Sequence, residues 1–337
     1  MAATTLPGSR FDALALRLLV RDYPSAARRQ DAELYAALGL TGSLERELTA
    51  SVRRENALYD AGARRLYLRA ATRDVAAVTD AAARALADQH FGLGRLIGLR
   101  VRDRDAAAAA ELAVTGTAAL AAHESPPRPD AAGSALHRFL SLERSLSVAG
   151  GRQLVSQLRF YGGARAAWGA LARPPTTTAQ GLHVDLFLGR VPASGVAPLP
   201  RGTVGATLES TQTFGELDVR ALLGTFGIAD AAAVAERWTG GRSGVYRLGD
   251  GTRATALVLG WDGADAATAW FDAVRTYVDG AFASAAAAQC RQAACWTLPG
   301  RALAFSFRGS SSALVSAPSL ADAGLLADAL VAGAQTS

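Results

Sequence analysis

The sequence predicts an α+β protein in two parts, a mostly helical N-terminal domain with one β-hairpin and a smaller C-terminal α+β domain. With 337 residues the chain is long enough for about two domains, each with its own core. Its first half spaces apolar residues three and four apart, as helices do, whereas its second half alternates as strands do. A proline-rich stretch separates the two patterns. We therefore expect a helical domain over residues 1–190 and an α+β domain over residues 198–337.

The first half predicts helices around a single hairpin. Leucines at helical spacing indicate helices over residues 11–55, and two alternating runs around an Asp-x-Gly turn indicate a β-hairpin over 58–68. Helices follow over 74–91 and 105–123. A last helical stretch over 131–171 contains two Gly-Gly pairs, at which we expect it to break.

The second half predicts short strands mixed with helices. Strands are expected over residues 203–213, over 243–259 with a hairpin turn at 249–251, and over 295–298, 302–307 and 313–316. Helices are expected over residues 215–223, 230–238, 264–278 and 319–332. Because these elements lack a regular βαβ rhythm, an α+β fold is favoured over a doubly wound parallel sheet.

Composition and charge exclude several classes of protein. Half the residues are hydrophobic and 19% are charged, which is too apolar for a disordered chain. The longest stretch of low charge, residues 106–122, is too short to span a membrane, so no transmembrane segment is predicted. The net charge is +5, but the arginines are dispersed and lysine is absent, so we expect no nucleic-acid partner.

The two cysteines, Cys290 and Cys295, have four residues between them and match neither a Cys-x-x-Cys redox motif nor a zinc site. We expect them to close a small disulfide loop, which would imply an oxidising compartment; two free thiols are the alternative. The first residues lack the basic and apolar segments of a signal peptide. Either the protein is cytoplasmic, or an export signal that preceded this sequence has been removed.

Common catalytic signatures are missing. There is no Gly-x-Ser-x-Gly elbow, and a chain without lysine cannot form a phosphate-binding Gly-x-x-x-x-Gly-Lys loop. The histidines never occur at the three- or four-residue spacing that lets one helix present two rings to a metal; they are His90, His123, His137 and His183.

Several stretches nevertheless resemble, in the same order, a family of exported bacterial zincin-like proteins. Residues 58–68 and 80–91 are similar to the family's hairpin "GFYD…LYV" and helix "HExxHALQDQHF". Residues 113–118 lie where the family reads "LVEGDA", and residues 162–183 resemble "GGW…PPxSTEQxLH". Residues 214–262 are similar to its C-terminal "TLGE…GWGGDR…WDT". The resemblance implies a zincin-like helical domain followed by an α+β domain.

The positions that bind zinc in the family carry other residues in this chain. There, two histidines one helical turn apart and a glutamate on the next helix hold zinc, and the glutamate after the first histidine is the general base. The resemblance puts Asp80 and Arg84 at the histidines, Ala81 at the base and Thr115 at the third ligand. Arginine has no lone pair for a metal and repels a dication. We expect no metal and no cofactor.

Arg84 and Asp80 have the four-residue spacing of a helical ion pair. One hypothesis is that the guanidinium fills the space that zinc occupies in the family, and the alternative is a plain solvated pair. In contrast, Asp88-Gln89-His90-Phe91 matches the family intact. Because these four residues persist although every ligand is lost, we interpret them as a structural element of the helix end.

The resemblance and its departures favour a catalytically inactive, metal-free pseudopeptidase that acts as an extracytoplasmic binding or scaffold protein. Its residual cleft would be lined by Asp80, Ala81, Arg84 and Thr115, and its partner would be a protein, a peptide or an envelope ligand. Two alternatives stay open. One is an enzyme with a non-zinc hydrolase or transferase site that the sequence does not reveal, and the other is a structural component of the cell envelope.

Overall fold

A computed structural model of the chain describes residues 2–123 and 125–333 and has the predicted α+β fold. The chain forms two compact units. The first comprises residues 1–29, 43–132 and 140–191, and the second comprises residues 30–42, 133–139 and 192–337. Two short segments from the N-terminal half of the chain thus belong to the unit that the C-terminal half forms.

The N-terminal half is mostly helical. Its α-helices are α1 Gly8–Asp22, α2 Ser25–Ala37, α3 Leu44–Arg54, α4 Val75–Phe91, α5 Leu99–Arg102, α6 Arg104–Ala121, α7 Ala135–Ala172, α8 Thr178–Leu182 and α9 Val184–Gly189. Asp74 and Asp103 cap the N-termini of α4 and α6 by accepting a hydrogen bond from a backbone N–H three residues on. Gly92, with a φ of 63°, ends α4 in the left-handed conformation that glycine allows.

A three-stranded sheet accompanies these helices. Its strands are β1 Ala2–Leu6, β2 Ala57–Asp60 and β3 Arg65–Arg69, in the order β1-β3-β2. Strands β2 and β3 form the predicted hairpin, and β1 pairs with β3 in parallel. Strand β1 was not predicted, because its sequence Ala-Ala-Thr-Thr-Leu shows no alternation of apolar and polar residues.

The long helix α7 breaks at one of its two glycine pairs. Gly162 and Gly163 leave the helical conformation, whereas Gly150 and Gly151 continue the helix, so the predicted break at the first pair is wrong. The physical reason is a close crossing with α6. A Cβ on Gly151 would lie 2.1 Å from the carbonyl oxygen of Leu112, so only a glycine fits.

The C-terminal half forms an eight-stranded antiparallel sheet. Its strands are β4 Gly202–Thr203, β5 Ala206–Thr213, β6 Trp238–Arg247, β7 Arg253–Trp261, β8 Ala286–Ala287, β9 Ala294–Leu298, β10 Arg301–Arg308 and β11 Ser311–Ala317, in the order β4-β5-β6-β7-β11-β10-β9-β8. Its helices are α10 Glu216–Thr225, α11 Ala231–Glu236, α12 Ala264–Ala281 and α13 Leu320–Gly333.

Helices α12 and α13 cover opposite faces of this sheet. On one face, Phe271 of α12 stacks on Phe305 of β10 with ring centroids 5.3 Å apart. On the other face, Ala304 of β10 shares a core cluster with Leu326 and Leu330 of α13. Successive residues of a strand point to opposite faces, and Ala304 and Phe305 follow this rule. The central strands are therefore buried on both sides.

Glycines in β6 and β7 let a loop cross these strands closely. The backbone N–H groups of Ser194 and Gly195 donate to the carbonyl of Thr239. A Cβ on Gly260 would lie 2.4 Å from the carbonyl oxygen of Gly195, and one on Gly240 would lie 3.0 Å from its backbone nitrogen. The Trp-Thr-Gly-Gly-Arg stretch, which carries part of the family resemblance, thus has a packing role here.

Cys290 and Cys295 form a disulfide that joins the loop before β9 to the second residue of this strand, which confirms the predicted pairing. None of the helices over residues 2–123 and 125–333 is both long and apolar enough to cross a bilayer.

Candidate functional site

Helices α4 and α6 pack against each other in the first unit and present polar residues to one another. Asp80 and Arg84 lie one turn apart on α4, and Glu111 and Thr115 lie one turn apart on α6. Residues four apart share one face of a helix, so each pair points in a common direction. We refer to these four residues as the Arg84 cluster.

Each nitrogen of the Arg84 guanidinium has its own partner in this cluster. Nε donates to Asp80 Oδ2 at 2.9 Å, Nη1 to Glu111 Oε1 at 2.6 Å, and Nη2 to Thr115 Oγ1 at 2.8 Å. The hydroxyl of Thr115 in turn donates to Glu111 Oε1 at 2.8 Å. The planar fork of arginine suits such simultaneous bonding, and it links α4 to α6.

The cation of Arg84 binds two carboxylates, so the cluster keeps a formal charge of −1. The Arg84 side chain is 26% exposed and that of Asp80 is 28% exposed. Desolvation by burial opposes the charge of Arg84, but attraction by Glu111 and Asp80 outweighs it, and the pKa of Arg84 is raised. Burial also raises the pKa of the nearby Glu55, against the attraction of Arg144 and Arg84.

Ala81 does not belong to this cluster. It is 1% exposed and shares a core cluster with Ala57 and Leu66 of the hairpin β2–β3. Because it follows Asp80 by one residue, the helix turns it toward the hairpin. The expectation that Ala81 lines a residual cleft with Asp80, Arg84 and Thr115 is therefore wrong. An open depression in the same unit has none of these residues in its lining, which consists of Glu45, Arg46, Thr49, Ala50 and Arg53.

The donor set of the cluster does not fit a zinc ion. Catalytic zinc takes three protein ligands from imidazoles, thiolates and carboxylates. The carboxylates of Asp80 and Glu111 already bind a guanidinium, and Thr115 supplies only a neutral hydroxyl. Over residues 2–123 and 125–333, no group of three or more His, Cys, Asp or Glu side chains is arranged to hold a metal.

Asp88 joins the end of α4 to the hairpin. It is 4% exposed and accepts a hydrogen bond from the hydroxyl of Tyr59 at 2.8 Å and from the backbone N–H of Gly94 at 2.9 Å. Desolvation and the bond to Asp88 raise the pKa of Tyr59 to about 12. Gln89 and His90 are exposed.

The stretch that resembles the "PPxSTEQxLH" segment is also held by internal hydrogen bonds. Thr178 donates to the buried Asp105 through both its backbone N–H and its hydroxyl, at 3.1 and 2.6 Å. Thr177 caps α8, and the Gln180 side chain donates to the carbonyl of Val191. These contacts fix the chain that follows α7.

Sequence reasoning missed Glu111, which is as central to the cluster as Thr115. The signal was present, because Glu111 precedes Thr115 by four residues and so shares its helix face. The resemblance pointed only to the third-ligand position. Tyr59 was missed as well, since its link to Asp88 joins residues that are 29 positions apart in the chain.

Comparison with protein families matches residues 204–327 to a family described as a domain of unknown function, DUF8575. This region extends from the turn before β5 into α13 and covers most of the eight-stranded sheet. Neither a curated protein nor a solved structure matches the chain. The matched description names no activity.

Proposed function

We propose that this chain is a catalytically inactive, metal-free relative of zincin-like metallopeptidases that acts as an extracytoplasmic binding or scaffold protein. The supporting observation is the position of the Arg84 guanidinium. It binds Asp80 and Thr115, which are the two other positions that the resemblance assigns to zinc ligands. A permanent cation bonded to all of these positions takes the role that zinc has in joining the two helices.

This site lacks two groups that a zincin needs for peptide hydrolysis. A zincin needs a metal that lowers the pKa of bound water and a carboxylate that accepts its proton. Arg84 donates hydrogen bonds only, and the position assigned to the general base is the buried Ala81. The hydrogen bonds of the Arg84 cluster instead stabilise the packing of α4 on α6.

Zinc content and peptidase activity of the purified protein test the inactive, metal-free part of the proposal. A preparation without an affinity tag should contain well under one equivalent of zinc, and cleavage of a mixed peptide library should not respond to a chelator. A zinc peptidase carried through the same purification serves as the control for metal loss. One equivalent of zinc, or cleavage that the chelator abolishes, would refute the proposal.

The location is tested through the disulfide. Disulfides persist in oxidising compartments and are rare in the reducing cytoplasm. Alkylation of intact cells before lysis, followed by mass spectrometry, should find Cys290 and Cys295 joined and protected from the reagent. Two alkylated cysteines in protein taken directly from its cells would contradict an extracytoplasmic location.

A further inference from the structure

Three large aromatic side chains are exposed around the break in α7. Phe160 is 85% exposed, Tyr161 is 66% exposed and Trp168 is 56% exposed. Phe160 and Tyr161 pack edge to face, with ring centroids 5.4 Å apart. We refer to residues 160–168 as the aromatic segment. Side chains of this size are normally buried, and several of them together in solvent indicate a binding surface.

The glycine pair inside the segment sets its geometry. Gly163 has a φ of 64°, a conformation that favours glycine, so the break after Tyr161 is built into the sequence. Beyond the break, Ala167 and Leu171 are buried, whereas Arg165 and Trp168 are on the opposite, exposed side. The helix packs through the side that carries Ala167 and Leu171, and this leaves Trp168 in solvent.

The chain around the segment is purely cationic. Between Glu143 and Asp185 it contains arginines and no acidic residue. Within the part of the chain that the structure describes, no ion pair links Arg159, Arg165 or Arg173 to a carboxylate. The positive charge of this surface is therefore available to an anionic partner.

A further arginine, Arg190, binds the backbone just beyond α7. Arg190 Nη1 and Nη2 donate to the backbone carbonyl of Arg173 at 3.1 and 3.2 Å. Desolvation and the charge of Arg173 lower the pKa of Arg190. Leu188 and Val191, which are 57% and 46% exposed, lie on either side of Arg190 in sequence, so exposed apolar and cationic groups are neighbours here as well.

We propose that the aromatic segment and its arginines bind the surface of an anionic lipid bilayer. Trp and Tyr favour the membrane interface because their rings are amphipathic, and a phenylalanine adds apolar area. Arginines beside them bind headgroup phosphates through paired N–H groups. Exposed rings beside unopposed positive charge are the combination that the interface of an anionic bilayer binds.

This inference is independent of the zinc question, because it uses different residues. It specifies a peripheral attachment that agrees with the absence of a membrane-spanning helix over the described residues. Binding by a few rings and arginines is reversible, and it weakens as salt screens the arginines.

Tryptophan fluorescence of the whole chain reports on this surface directly. Trp168 is the exposed tryptophan, whereas the other four are at most 6% exposed; they are Trp238, Trp261, Trp270 and Trp296. Vesicles of phosphatidylcholine with about one third phosphatidylglycerol should shift the emission to the blue and protect it from iodide. Vesicles of phosphatidylcholine alone should give a much smaller change, and the shift should be absent in W168F.

Two paired variants separate the rings from the charges. F160S/Y161S should lower the partition coefficient into anionic vesicles at least tenfold, and R159Q/R165Q should lower it about fivefold per arginine at low salt. L325S, which removes a side chain that is 58% exposed in the other unit, and R102Q/R128Q are the matched controls. Both controls should bind as the unmodified chain does. All the altered residues are exposed, so the unfolding midpoints should be unchanged.

Three results would overturn the proposal. The first is no blue shift and no cosedimentation with anionic vesicles at low salt. The second is binding that F160S/Y161S leaves unchanged. The third is a different partner for this surface. Either self-association, detected by sedimentation, protects Trp168 from iodide without vesicles, or single-stranded DNA protects it and binds more tightly than the vesicles do.

Discussion

Arg84 differs from a lysine at the same position in the number of partners that it can bind at once. Its three nitrogens bind a carboxylate on its own helix and a carboxylate and a hydroxyl on α6. An ammonium group is a point charge on a flexible stem and cannot reach all three in one geometry. The cluster therefore depends on the shape of the guanidinium as well as on its charge.

Replacing Arg84 with methionine should destabilise the protein by about 1–2 kcal/mol, because Asp80 and Glu111 then lose their shared cation. The loss stays moderate since the Glu111 side chain is 52% exposed. Urea unfolding measures it, and R84K should lose roughly half as much. R73M removes an exposed arginine next to α4 and should change stability by no more than about 0.5 kcal/mol. An R84M variant as stable as R73M would show that the cluster contributes nothing.

Tyr59 gives the hairpin a pH-dependent link to α4. The pKa of Tyr59 is raised to about 12 by desolvation and by its bond to Asp88, whereas an unfolded tyrosine titrates near 10. The folded state thus holds the proton more tightly. Its stabilising contribution is complete below about pH 10 and is lost as the pH rises toward 12.

Y59F should therefore cost about 1–2 kcal/mol at pH 7, because Asp88 loses a hydrogen bond in a buried position. The difference from the unmodified protein should shrink by about 1 kcal/mol at pH 11, after allowance for solvent screening. Unfolding in urea at both pH values measures this. Y67F, which removes a tyrosine hydroxyl from the neighbouring strand β3, is the matched control. A Y59F deficit that is equal at pH 7 and pH 11 would contradict the link.

At the scale of elements, the crossing of α6 and α7 depends on glycines that the two helices place face to face. A Cβ on Gly116 would lie 2.1 Å from the carbonyl carbon and oxygen of Gly151. Both neighbours are backbone atoms, which cannot rotate away as a side chain does. The close crossing with α7 fixes the position of α6. Arg84 can reach Glu111 and Thr115 only while α6 keeps that position.

G151A should destabilise the protein by about 3 kcal/mol or more, because the added methyl group overlaps the backbone of α6. G169A is a control on the same helix, since a Cβ there meets nothing within 4 Å. It should stabilise the protein by about 0.5–1 kcal/mol through better helix propensity. Thermal unfolding of both variants measures the difference, and two shifts of the same sign would contradict the close crossing.

Local patterns predicted most of these elements, but the close crossing was beyond them. Leucine spacing and alternation are properties of one segment, and they found the hairpin β2–β3 and the helices α4 and α6 correctly. Gly150 and Gly151 indicate a break by sequence alone, because a glycine pair looks the same in sequence whether it ends a helix or lets a neighbouring helix approach closely. The short strand β1 depends on its partner β3 rather than on its own pattern.

The sequence predicted part of the candidate site, namely two of the contacts of Arg84. Spacing alone paired Asp80 with Arg84, and the structure has that bond. The resemblance directed attention to Thr115, which also bonds to Arg84. It failed for Ala81, because membership of a site depends on which side of the helix faces the neighbouring element.

At the scale of the whole molecule, the second unit includes residues that lie far from it in sequence. The hydroxyl of Tyr277, which is fully buried, donates to the carbonyl of Leu38, and the rings of Tyr35 and Phe139 lie 5.3 Å apart. These residues belong to the segments 30–42 and 133–139. No local pattern assigns a helical segment to one unit rather than another, so the sequence alone placed them in the first domain.

A fragment of residues 192–337 should therefore fail to reach the packed state of the second unit. Without the segment 30–42, the hydroxyl of Tyr277 loses its acceptor. The ring of Phe282 loses the backbone of Gly39, where an added Cβ would lie only 2.9 Å from its Cζ atom. We expect the fragment to bind a hydrophobic dye and to lack near-ultraviolet circular dichroism, as loosely packed states do. A fragment that unfolds cooperatively with a full near-ultraviolet signal would show that the two segments are dispensable.

The arrangement of Asp80, Arg84 and Thr115 around one point is the central claim of the proposed function. If it holds, D80H/R84H/T115E presents two imidazoles and a carboxylate to one metal ion, with Glu111 beside them. A matched control is T79H/A83H, which places the same histidine spacing on the adjacent side of α4.

Zinc titration of the two variants, followed by thermal unfolding, tests this claim most directly. We predict that the triple variant binds zinc at least tenfold more tightly than the control. At a hundredfold excess over its Kd, zinc should raise the Tm by roughly 5–10 °C. A folded triple variant that binds zinc no more tightly than T79H/A83H would show that these positions do not surround a former metal site.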